Sequence, residues 1–137
     1  MTKQFWINLP VKDIHKSTEF FTKIGFSCQT EHGNSDYAKL IIGDNNVLLM
    51  LFPESSFKNF ANNDITDTKH STEVLFSIGA QNREEVDELA KKVEKAGGTI
   101  FAEPGESQGW MYACGFADLD GHRWSVLHMD MSKMPKA

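Results

Sequence analysis

Basic charge, long apolar runs and cysteine are all scarce in this sequence, and each shortage removes a class of function. Across 137 residues, 14 Lys and Arg face 19 Asp and Glu, a net charge of −5. Phosphate backbones are gripped by a basic face, so a nucleic-acid partner is excluded. No apolar run approaches the ~20 residues that span a bilayer, so no membrane partner is expected. The segment MTKQFWINLP has no long apolar core of the kind a secretory signal carries. The two cysteines, Cys28 and Cys114, lie far apart and form no C-x-x-C pair. That pattern suits buried, reduced thiols in a cytoplasmic protein better than a disulfide framework.

What is present is ordinary for a globular domain: 40% hydrophobic and 24% charged residues, in a chain long enough to bury one core. Two segments read as amphipathic helices. Asp13 caps the first, Ile14, Ser17, Phe20, Phe21 and Ile24 share a face, and Gly25 stops it. The second opens on Asn82 with Glu85 three residues on, a capping-box-like start. Val86, Leu89, Ala90, Val93 and Ala96 follow at helical spacing, acids crowd its start and lysines its end, and Gly97-Gly98 ends it. Around these helices run strand-like stretches: FWINLPV (5–11), FSCQT (26–30), YAKLII (37–42) and VLLMLF (47–52), then EVLFSI (73–78), TIFAE (99–103), WMYACGFA (110–117) and RWSVLHM (123–129). Each half is strand, helix, three strands, and each closes on an Asp/Asn/Gly turn, Asp44-Asn45-Asn46 and Asp120-Gly121. A βαβββ duplication is the economical explanation. The expected fold is α+β: tandem βαβββ modules over 1–52 and 73–129, forming a cup-shaped mixed sheet with helices on its other side, in a single domain. The polar stretch 53–72, with Phe57 and Phe60 in it, is a linker or a lid containing a short amphipathic turn.

The stretch DLDGHRW (118–124) invites a metal reading. Asp118 and Asp120 faintly echo a calcium loop, but the third ligand and the closing Glu are missing. Asp-Gly between two strand-like runs is a strong hairpin signal. With Asp120-Gly121 as the tip, Ser125 faces Phe116, Leu127 faces Cys114 and Arg123 faces Asp118. Side chains alternate across a strand, so one face is expected to carry Trp110, Tyr112, Cys114, Phe116, Ser125 and Leu127, provided no β-bulge intervenes. In the first half, Met50 is expected on one face with Leu48, Ile41, Lys39 and Tyr37.

The stretches NLPVKDIHKSTEFFTKIGF, EVDELAKKVEKAGG and FADLDGHRWSVLHMD resemble the vicinal-oxygen-chelate superfamily, with its glyoxalase, bleomycin-resistance and extradiol-dioxygenase members. Within it they look most like the branch labelled predicted lactoylglutathione lyase. The resemblance covers nearly the whole chain and is specific to the superfamily rather than to an activity. It implies two βαβββ modules forming a cup, usually in a dimer, with a divalent ion in the metalloenzymes held from the first and last strands of each module. Carried over by motif, those positions are Trp6, Met50, Glu73 and Ser125. Only Glu73 is a normal ligand; indole, thioether and a neutral hydroxyl are poor ones.

The expected site is therefore an apolar, ligand-binding cup with no cofactor and no metal residue. Its expected lining includes Trp6, Asn8, Tyr37, Ile41, Met50, Leu75, Trp110, Tyr112 and Phe116, with Glu73, Ser125 and Lys39 as polar features. Glu73 is the one candidate catalytic residue: a general base if buried at the start of a central strand, or an exposed carboxylate paired with Lys39 or Arg123. Cys114 reads as a packing thiol. His15, His32, His70, His122 and His128 make no ligand-spaced pair. The favoured function is binding of a small aromatic or apolar molecule by a cytoplasmic homodimer. The alternative is a metal-dependent lyase or dioxygenase with a non-standard metal shell, and a third reading is a scaffold whose cup is plugged.

Overall fold

The computed structural model describes residues 2, 4–29, 36–44 and 47–135. The Asn45-Asn46 part of the first turn, His32 and the end of the FSCQT stretch lie outside the described residues. The chain divides into two compact units, 1–71 and 72–137, each an α+β module built on a four-stranded mixed sheet.

In the first unit the order is β1 (Trp6–Val11), α1 (Ile14–Lys23), β2 (Ser27–Gln29), β3 (Ala38–Ile42), β4 (Val47–Pro53) and α2 (Glu54–Ala61). The sheet runs β1-β4-β3-β2, with β1 and β4 parallel and the other pairs antiparallel. Asp13 caps α1 by accepting the Lys16 N–H at 3.0 Å, as its position before the apolar stripe requires. Ile14, Ser17, Phe20 and Phe21 are buried on the inner face. Gly25, at φ 104°, ends the helix, and the Phe26 N–H reaches back to the Phe21 carbonyl at 2.9 Å, a Schellman closure. The strands supply the matching surface: Leu9, Val11, Leu40, Leu49 and Leu51 are buried, and α1 packs on β2, β3 and β4.

The second unit repeats this plan: β5 (Leu75–Gly79), α3 (Arg83–Ala96), β6 (Thr99–Ser107), β7 (Met111–Ala117), β8 (Arg123–Met129) and a short 3-10 turn, Met131–Lys133. Its sheet runs β5-β8-β7-β6, again with the first and last strands parallel. Asn82 caps α3 through the Glu85 N–H at 2.8 Å, while the Glu85 carboxylate reaches back to the Gln81 N–H. Gly97, at φ 99°, and the Gly98 N–H bonded to the Val93 carbonyl close the helix as in the first module. Val86, Ala90 and Val93 pack with Trp124, Val126, Phe116 and Cys114 to make the core of this unit.

Three features differ from the sequence expectation. The stretch 53–72 holds a two-turn helix, α2, packed on β1 and β4, where only a turn was expected. Strand β6 continues past 103 through Pro104 and Gly105 to Ser107. It lies at the sheet edge, where proline costs no ladder bond, and two register shifts absorb the irregularity. Strand β5 is also an edge strand of its sheet, so Glu73 does not start a central strand.

Candidate functional site

Each sheet has a helix-covered face and an open face, and strand register decides which side chains stand on the open one. In the first unit Lys39 pairs with Met50 and Ile41 with Leu48, as expected from the sequence. The parallel pair sets Trp6 beside Leu48, Asn8 beside Met50 and Pro10 beside Phe52. Since the alternate residues are the buried ones, Trp6, Asn8, Lys39, Met50 and Phe52 share the open face. Tyr37 and Phe52 approach with ring centroids 6.2 Å apart, and Phe60 of α2 meets Phe52 edge-on at 5.1 Å. The helix in the 53–72 segment thus places an aromatic ring at one end of this face.

In the second unit the expected register is corrected by one residue. Trp124 pairs with Phe116, Ser125 with Gly115 and Val126 with Cys114. The reason is the turn: Asp118 to His122 forms a five-residue connection, closed by the Asp118 N–H to the His122 carbonyl at 3.0 Å. A two-residue Asp120-Gly121 tip would have shifted every partner. The Asp118 carboxylate organises this wider loop. It is buried and accepts the backbone N–H of Asp120 and of His122, both at 3.0 Å, and the Trp124 indole N–H at 3.1 Å. Burial pushes its carboxyl above the ordinary range, against the pull of His122 and of the donors around it.

A shift of one residue exchanges the faces of β7. Phe116 is fully buried on the helix side, stacked on Trp124 with centroids 5.9 Å apart. Cys114 is buried there too, and burial, then the carboxylates of Asp87 and Glu103, pushes its thiol up to about 11. The Tyr112 hydroxyl donates a hydrogen bond to the Asp87 carboxylate of α3 at 2.7 Å, and its ring lies under the Arg83 guanidinium; the Asp87 bond, above all, raises its pKa. Tyr112 and Phe116 therefore do not line the open face. Trp110 stands in the turn before β7, half-buried, with its carbonyl accepting the Asp130 N–H at 2.7 Å and its indole N–H buried without a partner.

The open face of the second sheet instead carries Leu75, Ser77, Ala113, Gly115, Ala117, Arg123 and Ser125. A depression of about 310 Å³ lies here, lined among others by Leu75, Phe101, Ala113, Gly115, Ser125, Glu103 and Ser107. Phe101 lies close over Gly115, where an added Cβ would stand 2.5 Å from its ring. The Arg123 guanidinium stacks on the same ring, 4.3 Å from its centroid. The corrected register moves Ala113, Gly115 and Ala117 of β7 to the open face; Phe101 and Gly115 were not in the expected lining, and Arg123 was expected only as the residue opposite Asp118 or as a partner for Glu73. A depression of about 370 Å³ in the first unit, beside Lys58, Asn59 and Asn62, is polar surface spanned by the Lys58–Asp64 ion pair.

Glu73 is exposed and precedes β5, so it is not a buried carboxylate at a strand start. The repeat also moves the position assigned to it. Trp6 stands seven residues before the helix cap Asp13, and Leu75 stands seven before the cap Asn82. Met50 and Ser125 are matched likewise, paired with Asn8 and Ser77. The four equivalent positions are Trp6, Met50, Leu75 and Ser125. Among the described residues no group of three His, Cys, Asp or Glu could hold a metal ion. His70 pairs with Asp67, and His128 meets the Ala80 carbonyl at 3.2 Å.

Paired βαβββ modules with parallel outer strands define a glyoxalase-like fold. The model of the Glyoxalase/Bleomycin resistance protein/Dioxygenase superfamily matches residues 3–126, and the chain belongs to that superfamily. It is 34% identical to the hypothetical protein SA1046 from S. aureus, covering 93% of this chain and 94% of that one with a TM-score of 0.84. A glyoxalase-related enzyme from Fulvimarina pelagi shares the fold at 17% identity, covering 93% and 88%, with a TM-score of 0.78. The fosfomycin resistance protein FosX from Listeria monocytogenes does so at 19%, covering 96% and 97%, with a TM-score of 0.69. No curated protein matches the chain.

Proposed function

We propose that the protein binds a small apolar or aromatic molecule on the open sheet surface without a metal ion. The observation that carries this reading is the 310 Å³ depression on the second sheet, walled by Leu75, Phe101, Ala113 and Gly115 with Ser125 as a polar point. Apolar walls with few polar groups suit such ligands. The matching face of the first sheet, with Trp6, Asn8, Tyr37 and Met50, offers similar chemistry. The donor set does not fit a divalent ion. Indole and leucine offer no lone pair, a thioether is a poor ligand for hard cations, and a neutral serine is a weak one. The protein acts in this reading as a cytoplasmic homodimer, in keeping with reduced cysteines and with the superfamily to which it belongs.

Thermal unfolding against a panel of neutral aromatic compounds and against nickel, zinc and manganese tests this. A ligand at 100 times its dissociation constant adds ~2.7 kcal/mol of stability, a clear shift in midpoint. Shifts with aromatics alone support the proposal. A shift with a metal, joined by lyase or dioxygenase turnover of the loaded protein, would replace it with the enzyme reading. Light scattering of the purified protein checks the dimer.

A further inference from the structure

We infer that the depression on the second sheet takes an organic monocarboxylate, whose charge is received by Arg123. This deepens the binding reading above and rests on it. Three observations converge. First, the Arg123 Nε is buried with no hydrogen-bond partner, and no ion pair joins its guanidinium to a described residue. A buried donor left unpaired costs on the order of 1–3 kcal/mol, so such groups ordinarily have a partner to meet. Second, the Arg123 Cζ lies over the Phe101 ring, 4.3 Å from its centroid, and the ring is seated where Gly115 has no side chain. A guanidinium held over a ring keeps its terminal nitrogens for a planar, two-oxygen acceptor. Third, strand pairing sets Arg123 next to residues that line the apolar depression. Leu75 is its partner across the sheet, and Ser125 is two residues along the same strand and hence on the same face.

The charge of the ligand follows from the other wall residues. Glu106 is engaged by Arg83 of α3, but Glu103 is exposed and also lines the depression. The Glu103 carboxylate repels a singly charged ligand less than a doubly charged phosphate. The apolar body would lie against Leu75, Ala113 and Phe101.

Benzoate, benzamide and phenyl phosphate, titrated into isotopically labelled full-length protein and followed by NMR, separate the possibilities. Benzoate is expected to bind at least tenfold more tightly than benzamide or phenyl phosphate, with the largest shifts at the amides of Gly115 and Ser125. Arg123→Met should remove the preference for benzoate while leaving benzamide binding in place. Arg123→Lys, which keeps the charge but loses the fork, should retain only part of it and serves if the Met variant misfolds. Equal binding of benzoate and benzamide, or a preference that survives both variants, overturns the carboxylate assignment and leaves the binding reading standing. If no probe binds, both fall.

Discussion

Asp118 is the residue on which the open face of the second sheet depends, although it never touches that face. Its carboxylate takes three donors, and these set a five-residue turn and hence the register of β7 on β8. Asp118→Ala removes the carboxylate acceptor of the buried Trp124 indole N–H and of two turn amides and is expected to cost about 1–3 kcal/mol, measured by urea unfolding at neutral pH. The pH dependence has a definite sign. A carboxyl whose folded pKa is raised contributes stability that is full below its unfolded value, 3.8, and is lost as pH rises through the folded value. Relative to Asp118→Asn, the wild-type protein should therefore lose stability as pH climbs from about 3.8; a difference that stays flat from pH 3 to 7 would contradict the assignment. Cys114 gives a second prediction. With its thiol pushed up to about 11 and its side chain buried, roughly one part in a thousand is thiolate at pH 8. Ellman's reagent should modify Cys114 far more slowly in the native protein than in guanidinium. Fast labelling of Cys114 in the folded state would show that this strand opens readily.

At the scale of elements, the helix ends are where local sequence speaks most directly. Asp13 and Asn82 cap, Gly25 and Gly97 close, and the apolar stripes between them are the buried faces. All of this was legible because caps and helical periodicity are local. Asn82→Ala should cost ~1 kcal/mol by removing the acceptor for the Glu85 N–H. Gly97→Ala should cost about 1 kcal/mol or more, because φ is positive there. Chemical denaturation of both variants checks this, and a neutral Gly97→Ala would mean that the turn relaxes. Strands were less legible than helices. The bulges of β6 and the length of α2 depend on an edge position and on packing against β1 and β4, which no short window of sequence contains.

For the whole molecule, the repeat is the organising fact. Aligned by their helix caps, the two modules set Leu75, not Glu73, at the position equivalent to Trp6, and match Met50 with Ser125 through their partners Asn8 and Ser77. In the metal-free reading, excess chelator should leave the thermal midpoint unchanged, and added nickel or zinc should shift it by less than a saturating ligand would. A midpoint that falls with chelator and returns with one metal would point to a site assembled from other residues.

Taken alone, the amino-acid order determined the βαβββ repeat, through periodicity and capping chemistry, and the superfamily, through motifs that resemble it. Both are read from local stretches of the chain. Only the tertiary structure decided which face each strand residue occupies. A hairpin's parity turns on a single residue in its loop, and here a buried side chain, Asp118, rather than the Asp-Gly pair alone, set that count. This moved Tyr112 and Phe116 into the helix-covered layer and brought Phe101, Gly115 and Arg123 together on the open one. Their meeting depends on the pairing of three strands, which is why no motif announced it.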